Sequence, residues 1–287
     1  MTVTVNDIIL LMETIAPPRL AEKWDNSGLQ LGKRDWPVRR IMTALDPSPE
    51  VIAEATKQKA DLLITHHPLF FSALKSIDLD TPIGGIIATA LKEKLGIYAA
   101  HTNLDSVAGG LNDILAYRLD LRNITALEPP ATNGIGSPAT ILSSEGEKGF
   151  SPSLPQGLGR CGELAATTTL KDFASFVKVQ LSLEHLTMIG NSELPVDRVA
   201  VCSGSGSGLL DAFYASGAQV YVSGDLRYHD ARTAEANNVG LIDIGHFASE
   251  HLMVAALASR LKTECVASGF PVVLKACEVE KNPFVTI

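Results

Sequence analysis

Short apolar runs recur along the chain and alternate with longer stretches whose apolar positions return every three or four residues. The short runs "RRIMTAL", "DLLIT" and "IYAA" in the first half, and "RVAVC", "VYVSG", "GLIDI" and "FPVVLKACEV" in the second, have the length and β-branched content of strands. The periodic stretches "PEVIAEATKQKA", "IGGIIATALKEKL", "GLNDILAYRLDL", "TLKDFASFVKVQL" and "ASEHLMVAALASRLKTE" predict amphipathic helices, and the opening "MTVTVNDIILLMETIAPP" predicts a capped one. Strands alternating with helices predict an α/β fold with mixed, largely parallel sheets.

The periodicity lapses near residues 125–160, where "EPPATNGIGSPATILSSEGEKGFSPSLPQG" is rich in turn residues. This predicts a junction between an N-terminal α/β lobe over 1–125 and a second lobe over 126–245, with 246–287 returning to the first.

Six of the seven histidines fall at or just beyond the carboxyl end of a predicted strand: His66 and His67, His101, His229, His246 and, a turn later, His251. Ligand crevices of open α/β sheets lie at that edge. Carboxylates accompany them. Asp105 follows His101 by four residues, Asp225 and Asp230 flank His229, and Glu250 follows His246 by four. On a helix the last spacing puts imidazole and carboxylate on one face, where the pair can hold one metal ion or Glu250 can bridge two.

Consecutive residues leaving a strand point apart, so His66 and His67 suit different ions of a close pair, and Pro68 stiffens the exit. Imidazoles and carboxylates without nearby thiolates fit zinc, iron, manganese, cobalt or nickel. Two such ions roughly 3.5 to 4 Å apart acidify a shared water and polarise a substrate oxygen, which is the machinery of hydrolysis.

Blander readings stand beside these. A single buried histidine is more often a packed, hydrogen-bonded residue than a ligand; His251 reads as a helix-face residue, and His101 and His229 divide between ligand, substrate-facing and packing roles. Trp24 is expected to pack in the core, with Asp25 or Asn26 shaping a turn. In "AVCSGSGSGLL" the third glycine of a dinucleotide fingerprint is replaced by Leu209, so these glycines predict a tight turn into a helix whose start could receive an anion.

Composition narrows the partners. The apolar share of 46% and the charged share of 20% are those of a globular protein, and the net charge of −8 disfavours a nucleic-acid footprint. The four cysteines form no close pair, and no run reaches the length of a membrane span or the pattern of a signal peptide, so reduced thiols and a cytoplasmic address are expected.

Taken together, "LAEKWDNSGLQLG", "ITHHPLFF", "HTNLDS", "AVCSGSGSGLL", "SGDLRYHDA" and "IGHFASEH" resemble the Nif-three-like family over about residues 5 to 265. Its bacterial members often bear the name GTP cyclohydrolase 1 type 2 homologue. The resemblance implies two intertwined α/β lobes with a dinuclear metal site between them, assembled as a toroidal homohexamer. It carries metal ligation onto His66, His67, Asp105, His246 and Glu250, with Glu250 as the bridge, and makes His101 and His229 auxiliary catalytic groups. The implied function is a hydrolase for a nucleotide-like heterocycle, with GTP as the candidate substrate through ring opening and formate release. The alternative is a metal-stabilised, non-catalytic ring acting as scaffold or regulatory partner. Longer family members carry an inserted domain for which this chain has no room.

Overall fold

The computed structural model describes residues 2–130 and 155–285. Most of the Pro, Gly and Ser-rich stretch that predicts a junction therefore lies outside the described residues. The chain divides into two compact units: among the described residues, one comprises 2–104 and 253–285, the other 105–130 and 155–252. The chain leaves the first unit at residue 104 and re-enters it at 253.

The first unit contains α1 (Val5–Ile15), α2 (Pro49–Lys57), α3 (Pro82–Glu93) and α10 (Leu252–Ala267), the last starting one residue before the crossing. Its sheet is formed by β1 (Gly28–Leu31), β2 (Arg40–Ala44), β3 (Leu62–Thr65), β4 (Gly96–Ala99) and β11 (Val273–Ala276), in the order β1-β4-β3-β2-β11. Thr4 and Asp7 form a reciprocal capping box on α1, satisfying backbone donors that the first turn leaves open. Strands β11, β2, β3 and β4 are parallel, and only β1 runs against its neighbour. Because Ala44, Thr65 and Ala99 stand side by side in register, the segments after β2, β3 and β4 emerge together at one edge.

The second unit holds β5 (Arg122–Glu128), β6 (Leu158–Thr169), β7 (Thr187–Ile189), β8 (Pro195–Ser205), β9 (Val220–Gly224) and β10 (Gly240–Asp243) in the order β5-β6-β8-β9-β10-β7. Its helices include α5 (Leu111–Arg118), α6 (Leu170–Gln180), α7 (Leu210–Ala215), α8 (Tyr228–Ala236) and α9 (His246–Glu250), and α4 (Thr102–Ser106) spans the crossing from the first unit. Strands β8, β9 and β10 are parallel, with antiparallel strands on both flanks. Alternation along β8 sends Val199 and Val201 into a core shared with α5 and α6, and Ala200 and Cys202 into a core shared with α7 and Ala234 of α8.

A buried cation braces this unit. Arg160 donates from Nε and Nη2 to the two oxygens of Asp113, at 2.6 and 2.8 Å, and its remaining bonds go to the carbonyls of Val107, Gly157 and Gly159. Both side chains are fully buried, so each ionic group depends on the other for its solvation. No helix of the described residues is long and apolar enough to cross a membrane, and all four cysteines are buried and free.

Candidate metal centre

The parallel edge of the first sheet delivers three imidazoles. His66 and His67 follow β3 directly, their N–H groups donating to the carbonyls of Ala44 and Leu45, while His101 follows β4 by two residues. The ring centroids of His66 and His67 lie 5.2 Å apart, those of His66 and His101 5.1 Å, and those of His67 and His101 5.7 Å. One ligating nitrogen from each ring falls within 4.8 Å of the others, an arrangement that can hold a metal ion.

Each ring is oriented through the same atom. Nδ1 of His66 donates to the carbonyl of Ala100 at 3.0 Å, Nδ1 of His67 to Oδ1 of Asp46 at 2.7 Å, and Nδ1 of His101 to Oδ1 of Asp25 at 2.8 Å. Carbonyls and carboxylates only accept, so the proton is on Nδ1 and the ligating lone pair is on Nε2. This is the orientation in which metal-binding histidines are held by their outer partners. Burial pushes the Asp25 carboxyl up, but hydrogen bonds from His101, Thr102 and Ser27 outweigh it and hold the group well below the usual carboxylate range.

The second sheet presents a different set. Gly245, with a positive φ of 79°, turns the chain out of β10 and starts α9 at His246. The i,i+4 spacing then brings Nε2 of His246 to 2.9 Å from Oε2 of Glu250, as the pattern predicts, while Nδ1 donates to Oδ2 of Asp225 at 2.8 Å. Asp225 itself occupies the left-handed region, one that short polar side chains tolerate. The hydrogen bond to Glu250 comes first among the influences on His246, followed by an opposing desolvation, the Glu250 charge and then the Asp225 contact; together they push its pKa up to about 9.

Gly204 makes the buried Glu250 possible. Its φ is +66°, and a Cβ built there would sit 2.2 Å from Oε1 of Glu250 and 3.5 Å from Nε2 of His246. Its N–H donates to Oγ of Ser249, whose hydroxyl donates in turn to the carbonyl of His246. Of the "SGSGSG" glycines, Gly204 thus serves close packing against α9 and Gly206 against Ser223 and Tyr221 of β9, whereas a Cβ at Gly208 would meet open space. Asp105, buried in α4, accepts from Oγ of Ser203, and Asn112 ties the Asp105 carbonyl to the Ser203 N–H. Burial, with Asp105 the next cause, pushes the Cys202 thiol up to about 12, which removes it as a nucleophile.

The donor set fits hard or borderline divalent ions: three Nε2 lone pairs on one sheet, and a buried carboxylate with a paired imidazole on the other. The family model described as Duf34/NIF3 (NGG1p interacting factor 3) matches residues 3–283. The chain belongs to the DUF34/NIF3 family. Two relatives named GTP cyclohydrolase 1 type 2 homolog, from Bacillus subtilis and Clostridium perfringens, are 30% and 33% identical to it. The alignments cover 99% of this chain and 98% of the first relative, and 90% and 91% for the second. The first runs over 368 positions against 287 residues here, so the B. subtilis NIF3 relative carries a stretch that this chain lacks. The crystal structure of a Bacillus cereus protein related to NIF3 superposes with a TM-score of 0.88 at 27% identity, covering 100% of both chains.

Set against the pattern of predicted residues, the structure of this NIF3 family member joins His101 to His66 and His67, and joins Glu250 to His246. His229 is exposed on α8 with its ring edge-on to Tyr228, and it is in none of the close donor groups among the described residues. His251 stacks on Phe247 at 4.6 Å. Trp24 is 65% exposed, against the expectation that it packs in the core; instead it stands edge-on to His101 at 5.8 Å. Asp25 does shape its turn, accepting from the Asn26 N–H and Ser27 Oγ, but it is also the partner of His101. Asp46 is absent from the sequence expectations. Its signal is position: it stands two residues past β2, at the same edge as the histidines.

Proposed function

We propose that this protein is a metal-dependent hydrolase whose residues His66, His67, Asp105, His246 and Glu250 hold two divalent ions for hydrolysis of a nucleotide-like heterocyclic substrate. The observation that carries the reading is that Nδ1 of each of the three clustered imidazoles lies against a carbonyl or carboxylate acceptor, which leaves Nε2 for an ion. Bound ions of this class supply a water acidic enough to react near neutral pH and a Lewis acid for a substrate oxygen.

The side chains divide the remaining work. His66 and His67 offer Nε2, Glu250 offers a carboxylate locked in place by Gly204 and His246, and Asp105 is oriented by Ser203. His101, fixed by Asp25, can take or return a proton at Nε2, and the exposed His229 faces solvent where a substrate could reach it. Zinc, iron, manganese, cobalt and nickel all suit these donors. The name borne by the curated relatives makes GTP the first substrate to test. Self-association into a homohexameric toroid belongs to the same proposal.

The test is incubation of the purified protein with GTP and each divalent metal, following formate and pterin-like absorbance. Release of formate that Glu250→Ala abolishes, with thermal stability and oligomeric state retained, supports the enzyme. No formate with any metal removes the cyclohydrolase version. The rival reading, a metal-stabilised scaffold, draws on the matching family's description as an interacting factor. Under it, Glu250→Ala loses stability or assembly in place of turnover.

A further inference from the structure

We infer that Asp46 is the positioning residue for His67 and that Glu280, near the carboxyl end of the chain, holds Asp46 in place; the inference rests on the metal-binding reading of the three clustered imidazoles. Strand β11 lies parallel to β2, and the Cys277 N–H continues the ladder to the carbonyl of Thr43, so the chain after β11 arrives at the edge where the histidines emerge. There the Glu280 carboxylate receives the N–H groups of Leu45 and Asp46, Oε1 at 2.9 Å from each and Oε2 at 3.0 Å from Leu45. Two adjacent backbone donors on one carboxylate fix the peptide between them.

That peptide governs His67 twice. The carbonyl of Leu45 accepts the His67 N–H at 3.0 Å, and Oδ1 of Asp46 accepts from Nδ1 at 2.7 Å. The His67 side chain is 13% exposed and that of Asp46 49%, so the bond sits at the mouth of the cluster, where its loss leaves the core intact. His66 next door uses a backbone carbonyl instead, so residue 46 acts on one imidazole of the adjacent pair.

The experiment uses the full chain stripped with chelator, titrated with zinc ion, alongside 15N spectra of the imidazoles in the metal-free protein. His67 is expected in the Nδ1–H form. Asp46→Ala should lose that bias and bind zinc about 10- to 100-fold more weakly, the usual cost of removing the outer partner of a ligating histidine. Asp46→Asn, whose amide oxygen still accepts, should keep the tautomer and fall between, and it decides the matter if the alanine variant does not fold. Glu280→Ala should weaken zinc by about 10-fold and broaden or shift the His67 resonances. Wild-type His67 in the Nε2–H form, or Asp46→Ala binding zinc as tightly as wild type, overturns the Asp46 assignment; an unchanged His67 tautomer and affinity in folded Glu280→Ala overturns the Glu280 part. Should wild type take up no zinc, the metal reading fails, and the tautomer spectra still decide the role of Asp46.

Discussion

The two sheets bring their chemistry to the carboxyl edge of parallel strands by different means. At the first, three imidazoles follow β3 and β4 within two residues, and Nδ1 of each meets an acceptor, either a backbone carbonyl or an acidic side chain from a neighbouring loop. At the second, one imidazole is clasped between two carboxylates, and its helix rests on Gly204, whose missing side chain leaves room for Glu250. In the same unit lie two buried pairs, Asn112 with Ser203 and Asp113 with Arg160, with little exposure to water. The difference teaches that the first edge is tuned at His67 and His101 by replaceable acidic side chains, whereas the second is set by close packing and buried charge.

The comparison is broken most forcefully through Asp113→Ala, which strands the buried guanidinium of Arg160 and should cost about 3–5 kcal/mol in urea unfolding. A cost under about 1 kcal/mol would mean that the second edge does not depend on buried charge. Gly204→Ala comes next. The left-handed backbone and the clash with Glu250 should together cost about 2 kcal/mol and displace the carboxylate, with zinc uptake weakened in calorimetry.

A pH series on metal-free protein sharpens the contrast further. The folded pKa of His246, about 9, lies above its ordinary 6.5, so the stabilisation it brings is complete below about pH 6.5 and fades as the pH rises towards 9. Glu250→Gln should flatten that part of the stability profile measured by thermal melts. The smallest effect serves as the reference: Thr169→Ala removes the N-cap of α6, away from both edges, and should cost about 1 kcal/mol without altering zinc affinity.

Much of this was legible in the chain. Strand β9 coincides with the run "VYVSG", β2, β3 and β10 fall within theirs, and β4 begins one residue before "IYAA", because buried parallel strands are nearly continuous apolar runs. His246 and Glu250 were readable as a pair because helical geometry is local. What stayed hidden depends on pairing across the sheet. Asp46 and Asp25 meet His67 and His101 from 21 and 76 residues away, and nothing in local periodicity encodes that contact. Strand β6 was obscured for another reason: its first residues continue the Pro and Gly-rich stretch, and its later part, "LAATTT", lacks the apolar alternation of a half-buried strand. The exposed Trp24 shows the converse limit, since a large apolar ring beside a polar cluster carries the same letter as one in a core.

Strands β5 and β6 run antiparallel with Glu128 opposite Leu158, so the chain departs from the sheet and rejoins it at neighbouring points. A connection between such points can grow at slight entropic expense, because closing a loop costs only logarithmically more as it lengthens. The hairpin is thus a natural port for grafting: a whole foreign module could be spliced into it while both strands keep their partners.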